Sequence, residues 1–482
     1  MGVAFNAAGL LNGNGINVAS VVRAILSPQT ANVSIFQNQQ TDLATQAGLL
    51  AGINNNLTSL GTAVTALADP TGALASLAAN SSQPSILTAT AQTSAASGTH
   101  QIVVSSLATA GTVFTEPVIG GGDVSFLSAG ATSGDIKLQI GGASGVTHDI
   151  PITKGSNDTL NTLAKYINAQ GFGVTASVVT DTNGARLAVF SQATGTPGAA
   201  AITNNTTALT FDTPVGGTNA SLTIDGVPVS SASNTVSGAI PGVTLNLVGA
   251  ASGTPVQVTV GPDAAQATAA INSFVSAYNA VIGNLNTQFT VDPTTNTQGP
   301  LGGDSTLRSL QSNLLAGVSY AISGNGGLVN LAALGIDLNN DGTLTVNQTA
   351  TDTHPSLSAV LAANPAAVQS FFQNASSTGF ANQLNTDLTG LTDPISGILN
   401  LDIAGNTAQQ ASLTTQITNL QDRLTSQSKA LTLQYNQLNA TLEGFPSLLQ
   451  TVTAEISALN GTTTSPFTTS TNTAPATGTP TG

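Results

Sequence analysis

Asp337-Leu338-Asn339-Asn340-Asp341-Gly342 is the segment of this chain whose residue types and spacing come nearest to chemistry. Its oxygen ligands fall at positions one, three and five, and its glycine suits a tight turn, as in the first half of a calcium-binding loop. The twelfth position should hold a bidentate glutamate, and here it is Gln348. An amide cannot offer two anionic oxygens. Leu344 and Val346 alternate in strand fashion just after it, so the segment reads as a hairpin turn. Gly171-Phe172-Gly173 with Ala176 matches a relaxed dinucleotide fingerprint. That motif needs a strand before the glycines and a helix after them, and the pattern here has the reverse order. His100, His148 and His354 are isolated, and His148-Asp149 reads as a surface pair. The acids are dispersed, with no nucleophile elbow, zincin motif or phosphate loop. No metal, no cofactor and no catalytic residues are expected, and the chain reads as a non-enzyme.

Composition narrows the classes further. Only 6% of the 482 residues are charged against 40% hydrophobic, and the net charge is -14. An ordinary soluble domain carries about 25% charged residues. The eight bases stand apart, no two within five positions, so there is no linear footprint for phosphates and no nucleic-acid partner is expected. Cysteine is absent, which excludes disulfides and thiolate chemistry together. The first residues, MGVAFNAAGLLNGNGINVASVVRAIL, lack the basic and continuously apolar regions of a cleaved secretion signal. No apolar run reaches the ~18 residues of a membrane span.

Amphipathic elements lie at the two ends. Leu50, Ile53, Leu57, Leu60, Val64 and Leu67 recur at heptad spacing and stop before Asp69-Pro70. Leu413, Ile417, Leu420, Leu424 and Leu431 keep the same rhythm, with Gln427 at the intervening seam position. The phase then slips by one residue, and Tyr435, Leu438, Leu442 and Phe445 resume it. Gly444 and Pro446 are expected to interrupt that helix before Leu448–Leu459. The two seams can pair with each other, or each can pack on its own domain. Flanking charges are too few to set partner or register. The ends are expected to be loose in the free subunit and to order on assembly.

Between the ends the sequence alternates as strands at Ser85–Thr93, Gln101–Leu107, Ile136–Ile140, Gly173–Thr180, Arg186–Ser191, Leu222–Ile224, Val243–Leu247 and Val256–Val260. A helix interrupts them at Thr159–Gln170, with Asp158 as its expected N-cap and Leu160, Leu163 and Ile167 inward. From Asp263 onward helices return, with Ile271, Phe274, Val275, Tyr278, Ile282 and Leu285 as one stripe and Leu307, Leu310, Leu314 and Val318 as another. Asn364-Pro365 starts a third helix, whose apolar face is Val368, Phe371 and Phe372.

Specific blocks carry a family resemblance. Ala220–Leu247, the FVSAYN block at Phe274–Asn279 and GPLGGDSTLRSL at Gly299–Leu310 occur in an order that resembles the flagellar filament cap family, also called flagellar hook-associated protein 2. Gly9–Leu26, Thr159–Gly195 and Leu331–Val346 followed by Phe371-Phe372 are similar to further segments of that family. Asn17 stands where relatives usually have Asp, the stretch after Leu26 lacks their charged residues, and the Thr-rich tail is longer.

The resemblance implies an α+β, multi-domain fold, with terminal coiled-coil or helical legs and central antiparallel β-rich domains. It implies a leg at residues 1–40, expected to be disordered when free, and a helix at 41–80 pairing with the C-terminal helices. A β-rich plate at 81–114 and 216–262 would carry an inserted outer β domain at 115–215. A helical domain at 263–405, a coiled-coil leg at 406–460 and a disordered tail at 461–482 complete it. The implied function is a structural cap at the distal tip of the bacterial filament. It would be a homo-oligomeric ring of about five subunits that promotes flagellin folding and insertion and prevents flagellin loss. Export through the flagellar type III apparatus, a dedicated chaperone and a hook–filament junction protein as neighbour are implied with it, and location is extracellular. The leg contacts are assigned to Leu50, Ile53, Leu57, Leu60, Val64, Leu67, Leu413, Ile417, Leu420, Leu424, Leu431, Leu438 and Leu442. The alternatives are a flagellin-like or adhesive protein of the filament shaft, and a glycan-active enzyme, which would need a convergent carboxylate pair.

Overall fold

The computed structural model describes residues 17–351, 354–373 and 378–459. The expected disordered tail and residues 9–16 of the Gly9–Leu26 signature lie outside the described residues. The chain forms two units. Unit 1 comprises Met1–Asn55, Thr287–Leu307 and Leu391–Gly482, and unit 2 comprises Asn56–Asn286 and Arg308–Gly390.

Helix α1 (Val18–Ala68) comes first, followed by β1 (Leu77–Ser81), β2 (Leu87–Ala91) and β3 (Gly98–Ser106). Then come β4 (Ala110–Phe114), β5 (Ser133–Ile140), β6 (Val146–Thr153), α2 (Leu160–Gln170), β7 (Val174–Asp181), β8 (Gly184–Thr194) and β9 (Ala200–Asn205). The strands close with β10 (Ala220–Ile224), β11 (Val227–Ser231), β12 (Thr235–Ile240), β13 (Val243–Leu247) and β14 (Val256–Pro262). Helices α3 (Ala264–Phe289) and α4 (Ser305–Val318) precede a hairpin of β15 (Ile336–Leu338) and β16 (Leu344–Val346). Helices α5 (Leu357–Ala363), α6 (Pro365–Phe372), α7 (Phe380–Thr392) and α8 (Ile398–Leu459) complete the order.

In unit 2 the first β module pairs a five-stranded sheet, β1-β14-β3-β10-β11, with a three-stranded sheet, β12-β13-β2. Every pairing is antiparallel. Alternate residues Val256, Val258 and Val260 point inward, as do Val243, Leu245 and Leu247, so the two sheets share one core. The β10–β11 hairpin turns on Asp225 and Gly226, both at positive φ (49° and 84°), as a two-residue primed turn requires. Asp225 tolerates this because its carboxylate accepts the Gln101 N–H at 2.8 Å and pairs with His100 Nδ1 at 2.8 Å.

The inserted module places α2 with two three-stranded sheets, β4-β8-β7 and β6-β5-β9, over one core. Leu160, Leu163 and Ile167 face inward. The N-cap is Thr159 and not Asp158: Thr159 and Thr162 form a reciprocal capping box. Asp158 serves the preceding loop instead. A hydrogen bond from Ser125, and another from the Gly155 N–H at 2.9 Å, hold its carboxyl below the usual range. Gly171 ends the helix in the left-handed conformation. This is the helix-then-strand order that excluded a dinucleotide loop. Strand β4, within the segment assigned to the plate, pairs with β8 and so belongs to the inserted module. The chain passes between modules at the Thr109–Thr218 bridge. There is no room for side chains at this joint. A Cβ on Gly217 would lie 2.2 Å from the Gly195 carbonyl oxygen, and one on Gly195 would lie 2.5 Å from Ala232 Cα.

The helical part of unit 2 is built on aromatic rings. Phe380 lies 5.4 Å from Phe371, 5.7 Å from Phe274 and 5.8 Å from Phe372, in stacked and edge-on arrangements, and all are fully buried. Tyr278 joins them through Phe274, and burial pushes its phenol pKa upward, so it stays neutral. The Asn279 side chain bonds both the N–H and the carbonyl of Leu344, at 2.7 and 2.8 Å, which clamps β16 to α3. The Gln373 amide donates to the Leu67 and Asp69 carbonyls, covering the open end of α1.

Candidate assembly surfaces

In unit 1, α1 and α8 run antiparallel. Gln40 Nε2 donates to Thr414 Oγ1 at 2.7 Å, and residues nearer the start of α1 meet residues further along α8. Val22, Leu26 and Val33 form one apolar cluster with Ile417, Leu420 and Leu424. Val18, Phe36, Leu431 and Tyr435 pack on its margins. The segment expected to be loose is therefore helical from Val18 onward and covers its apolar residues on α8. It stays helical through Pro28, whose ring removes the N–H that Ala24 would accept from. The Ser27 hydroxyl donates to that carbonyl at 3.1 Å instead. A groove of about 450 Å³ follows along the same pair, with Leu43 and Leu413 beneath Asp42, Gln409 and Gln416.

The sequence-assigned seam residues thus fall in several places. Ile417, Leu420 and Leu424 lie in the helix-pair cluster, Leu431 on its margin and Leu413 in the groove. Leu50 and Ile53 are buried in unit 1. Leu57, Leu60, Val64 and Leu67 are fully buried in unit 2 and are not in that cluster. The N-terminal half of the pair is instead Val22, Leu26, Val33 and Phe36. Their spacing of four, seven and three residues was the available signal. Pro28 and Gln29 in the middle of it masked the helix.

Beyond Tyr435, α8 continues without the expected break at Gly444 and Pro446 and ends at Leu459. A helix of good local formers on both sides tolerates an isolated interruption. The continuation bears a strict heptad: Leu438, Leu442, Phe445, Leu449, Val452, Ile456 and Leu459. Leu438 is 45% exposed, Phe445 55%, Leu449 60%, Ile456 55% and Leu459 86%, while Leu442 is partly covered. Among the described residues nothing covers this apolar 3.5-residue repeat, which has the pattern of a coiled-coil seam without its partner.

The candidate chemical residues are all occupied structurally. Asp341 Oδ1 accepts from the Thr343 N–H and hydroxyl, and Asn339 donates to the Thr343 and Thr345 hydroxyls. Asp337 takes bonds from Asn347 and His354. The calcium-like segment is a β15–β16 hairpin turn with both of its aspartates engaged. His148 stacks on Phe172 at 4.4 Å, while Asp149 pairs with Lys137 at 3.0 Å, so the two form no dyad. Among the described residues, no group of three or more acidic or histidine side chains could hold a metal. No helix among them is long and apolar enough to cross a membrane.

A helix pair drawn from the first and last described segments, with antiparallel β modules between them in sequence, is the architecture of a modular α+β protein. The family models "Flagellar hook-associated protein 2 N-terminus" and "C-terminus" match residues 14–111 and 217–445, well over half of the chain together. "Flagellin hook IN motif" matches 135–193, in the inserted module. The chain belongs to the flagellar hook-associated protein 2 family. It is 28% identical over 447 residues to the B-type flagellar hook-associated protein 2 of Pseudomonas aeruginosa, covering 86% of this chain and 90% of the relative. It is 26% identical over 460 residues to flagellar hook-associated protein 2 of Escherichia coli K12, covering 90% and 95%. The crystal structure of the D1-D2-D3 domains of the flagellar cap protein FliD from Escherichia coli superposes with a TM-score of 0.55 at 26% identity. It covers 74% of this chain and 99% of that one.

Proposed function

We propose that this chain is the structural cap at the distal tip of a bacterial flagellar filament, assembling with copies of itself and acting on flagellin. Its relatives of near-equal length carry the hook-associated name, and the fold is similar to that of the cap crystal structure over 74% of this chain. The observation that carries the assembly role is the uncovered heptad on α8, Leu438 to Leu459, continuing directly from a covered one. A monomer gains nothing from three apolar heptads in water.

In this reading about five subunits form a ring, with the β modules as the plate and the α1–α8 pairs as legs. The leg contacts fall on Leu413, Ile417, Leu420, Leu424, Leu431, Leu438 and Leu442, with Val22, Leu26 and Val33 supplying the N-terminal half. Leu50 and Ile53 belong to the leg unit, and Leu57, Leu60, Val64 and Leu67 hold the core of unit 2. Flagellin is folded and inserted beneath the plate. The subunit is exported by the type III apparatus with a chaperone over the α8 seam, and the hook–filament junction protein is its first seat. The chain acts as scaffold, with no catalytic step.

The test is deletion of the gene and return of the intact or altered chain. Cells without it should release flagellin monomers into the medium and lack filaments, and the intact chain should restore both. Full filaments on the deletion strain would overturn the assignment.

A further inference from the structure

The α1–α8 pair has little charge with which to align itself. Between Val18 and Phe36 the only charged residue is Arg23, and between Leu413 and Tyr435 there are Asp422, Arg423 and Lys429. Apolar seams that repeat every seven residues can slip by seven and bury nearly the same surface. Two side chains break that degeneracy. Gln29 lies between Leu26 and Val33, and Gln427 lies between Leu424 and Leu431, each at a seam position of its helix. The Oε1 atoms of both are shut off from solvent and accept no hydrogen bond among the described residues. The Gln40–Thr414 bond fixes the level of the two helices. Counting back from Gln40 to Gln29, and equally far forward from Thr414, reaches Thr425, two residues from Gln427. The two amides therefore lie at about one level.

We infer that Gln29 and Gln427 form a polar layer that locks the leg helices in a single register. Neither Oε1 accepts a bond in the conformation described, but a carboxamide has donors and an acceptor, so rotation of either side chain lets two at one level serve each other. A seven-residue slip one way sets Gln29 level with Leu431 and Gln427 level with Val33. A slip the other way sets Gln29 among Ile417 and Leu420, and Gln427 at Val22. Either slip surrounds both amides with hydrocarbon, where an unpartnered polar group is most costly. The layer weakens the pair in exchange for uniqueness, the role best attested for a single polar seam residue in coiled coils. The α8 register in turn decides how far the uncovered Leu438–Leu459 seam projects past Val18. The inference stands on the helix pair alone and does not require the cap assignment.

The chain has no cysteine, so introduced thiols report without background. In the full-length protein, Gln40→Cys with Thr414→Cys reads the native register. Gln40→Cys with Gln421→Cys, or with Thr407→Cys, reads a slip of seven in either direction. With both glutamines present, a short thiol cross-linker should join only the native pair. With Gln29→Leu and Gln427→Leu, the slipped products should rise about tenfold, while helix content is kept and the leg melts at higher temperature. Slipped products unchanged by the leucines would overturn the proposal. Loss of the native cross-link in the leucine variant would overturn it too, by showing that the amides hold the helices together and do not merely align them.

Discussion

Helix α1 carries two apolar seams that differ in how they are sealed. Leu57, Leu60, Val64 and Leu67 have no solvent exposure at all, in a unit whose helical core is tiled with phenylalanine rings. Val22, Leu26 and Val33 meet α8 as a two-helix pair, where Ile417, Leu420 and Leu424 keep 8–9% exposure and a glutamine interrupts each side. Burying a leucine fully contributes about 1.5–3 kcal/mol, while ordering each residue costs about 1–2 kcal/mol of backbone entropy. A fully closed seam offsets that entropy with a small surplus, and a seam left partly open in a lone helix pair offsets it more narrowly. The first is permanent structure. The second is suited to being made, unmade and re-covered, as the proposed cap role requires.

The largest effect expected from this contrast is at Leu60. Leu60→Asp buries a charge with no partner and should cost about 4–5 kcal/mol or more, collapsing unit 2. Loss of its cooperative calorimetric transition is the readout. Leu26→Asp with Leu420→Asp should separate the leg helices and abolish filament capping, while the unit 2 transition stays where it was. If that variant unfolded unit 2 as well, the two seams would not be independent. A smaller effect on the free chain sharpens the contrast from the other side. Leu449→Ser removes an exposed side chain, so monomer stability should change by less than about 0.5 kcal/mol. Assembly of the tip, followed by filament length, should nonetheless fail.

The smallest expected effect is with pH. Asp225 is held below the ordinary carboxylate value by its hydrogen bonds from His100 and the Gln101 N–H, and Asp341 by those from Thr343. A carboxylate lowered on folding stabilises the fold fully above its unfolded pKa of about 3.9 and loses that contribution as pH falls through the lowered folded value. The opening of amides in the β10–β11 hairpin, read as exchange divided by each amide's intrinsic rate, should therefore be flat above about pH 5 and rise below the unfolded carboxylate value. Asp225→Asn should remove much of that rise.

Much of this was legible in the residues, and the exceptions have physical causes. The α2 face, the α3 stripe and Phe371-Phe372 were read correctly, because period and burial coincide wherever a helix has one apolar side against a thick core. Partner choice was not legible. A heptad states that a helix wants a neighbour and says nothing about which one. The Leu50–Leu67 seam and the Leu413–Leu431 seam share a rhythm, yet four residues of the first are spent inside unit 2. The true N-terminal half of the pair was hidden by Pro28, which reads as a helix breaker until Ser27 is seen donating to the freed carbonyl. The break expected at Gly444 and Pro446 failed for a similar reason, since propensity is a weak prior against a long helix. The calcium-like hairpin was decided in sequence by one absent carboxylate, Gln348.

The most direct test of the cap assignment is where the protein stands on the cell. Gold-labelled antibody against residues 85–262, viewed on intact cells by electron microscopy, reads it in a single image. Label confined to filament tips is the result expected here. Label along the shafts or over the cell body would contradict the cap and return the chain to the flagellin-like or adhesive alternative.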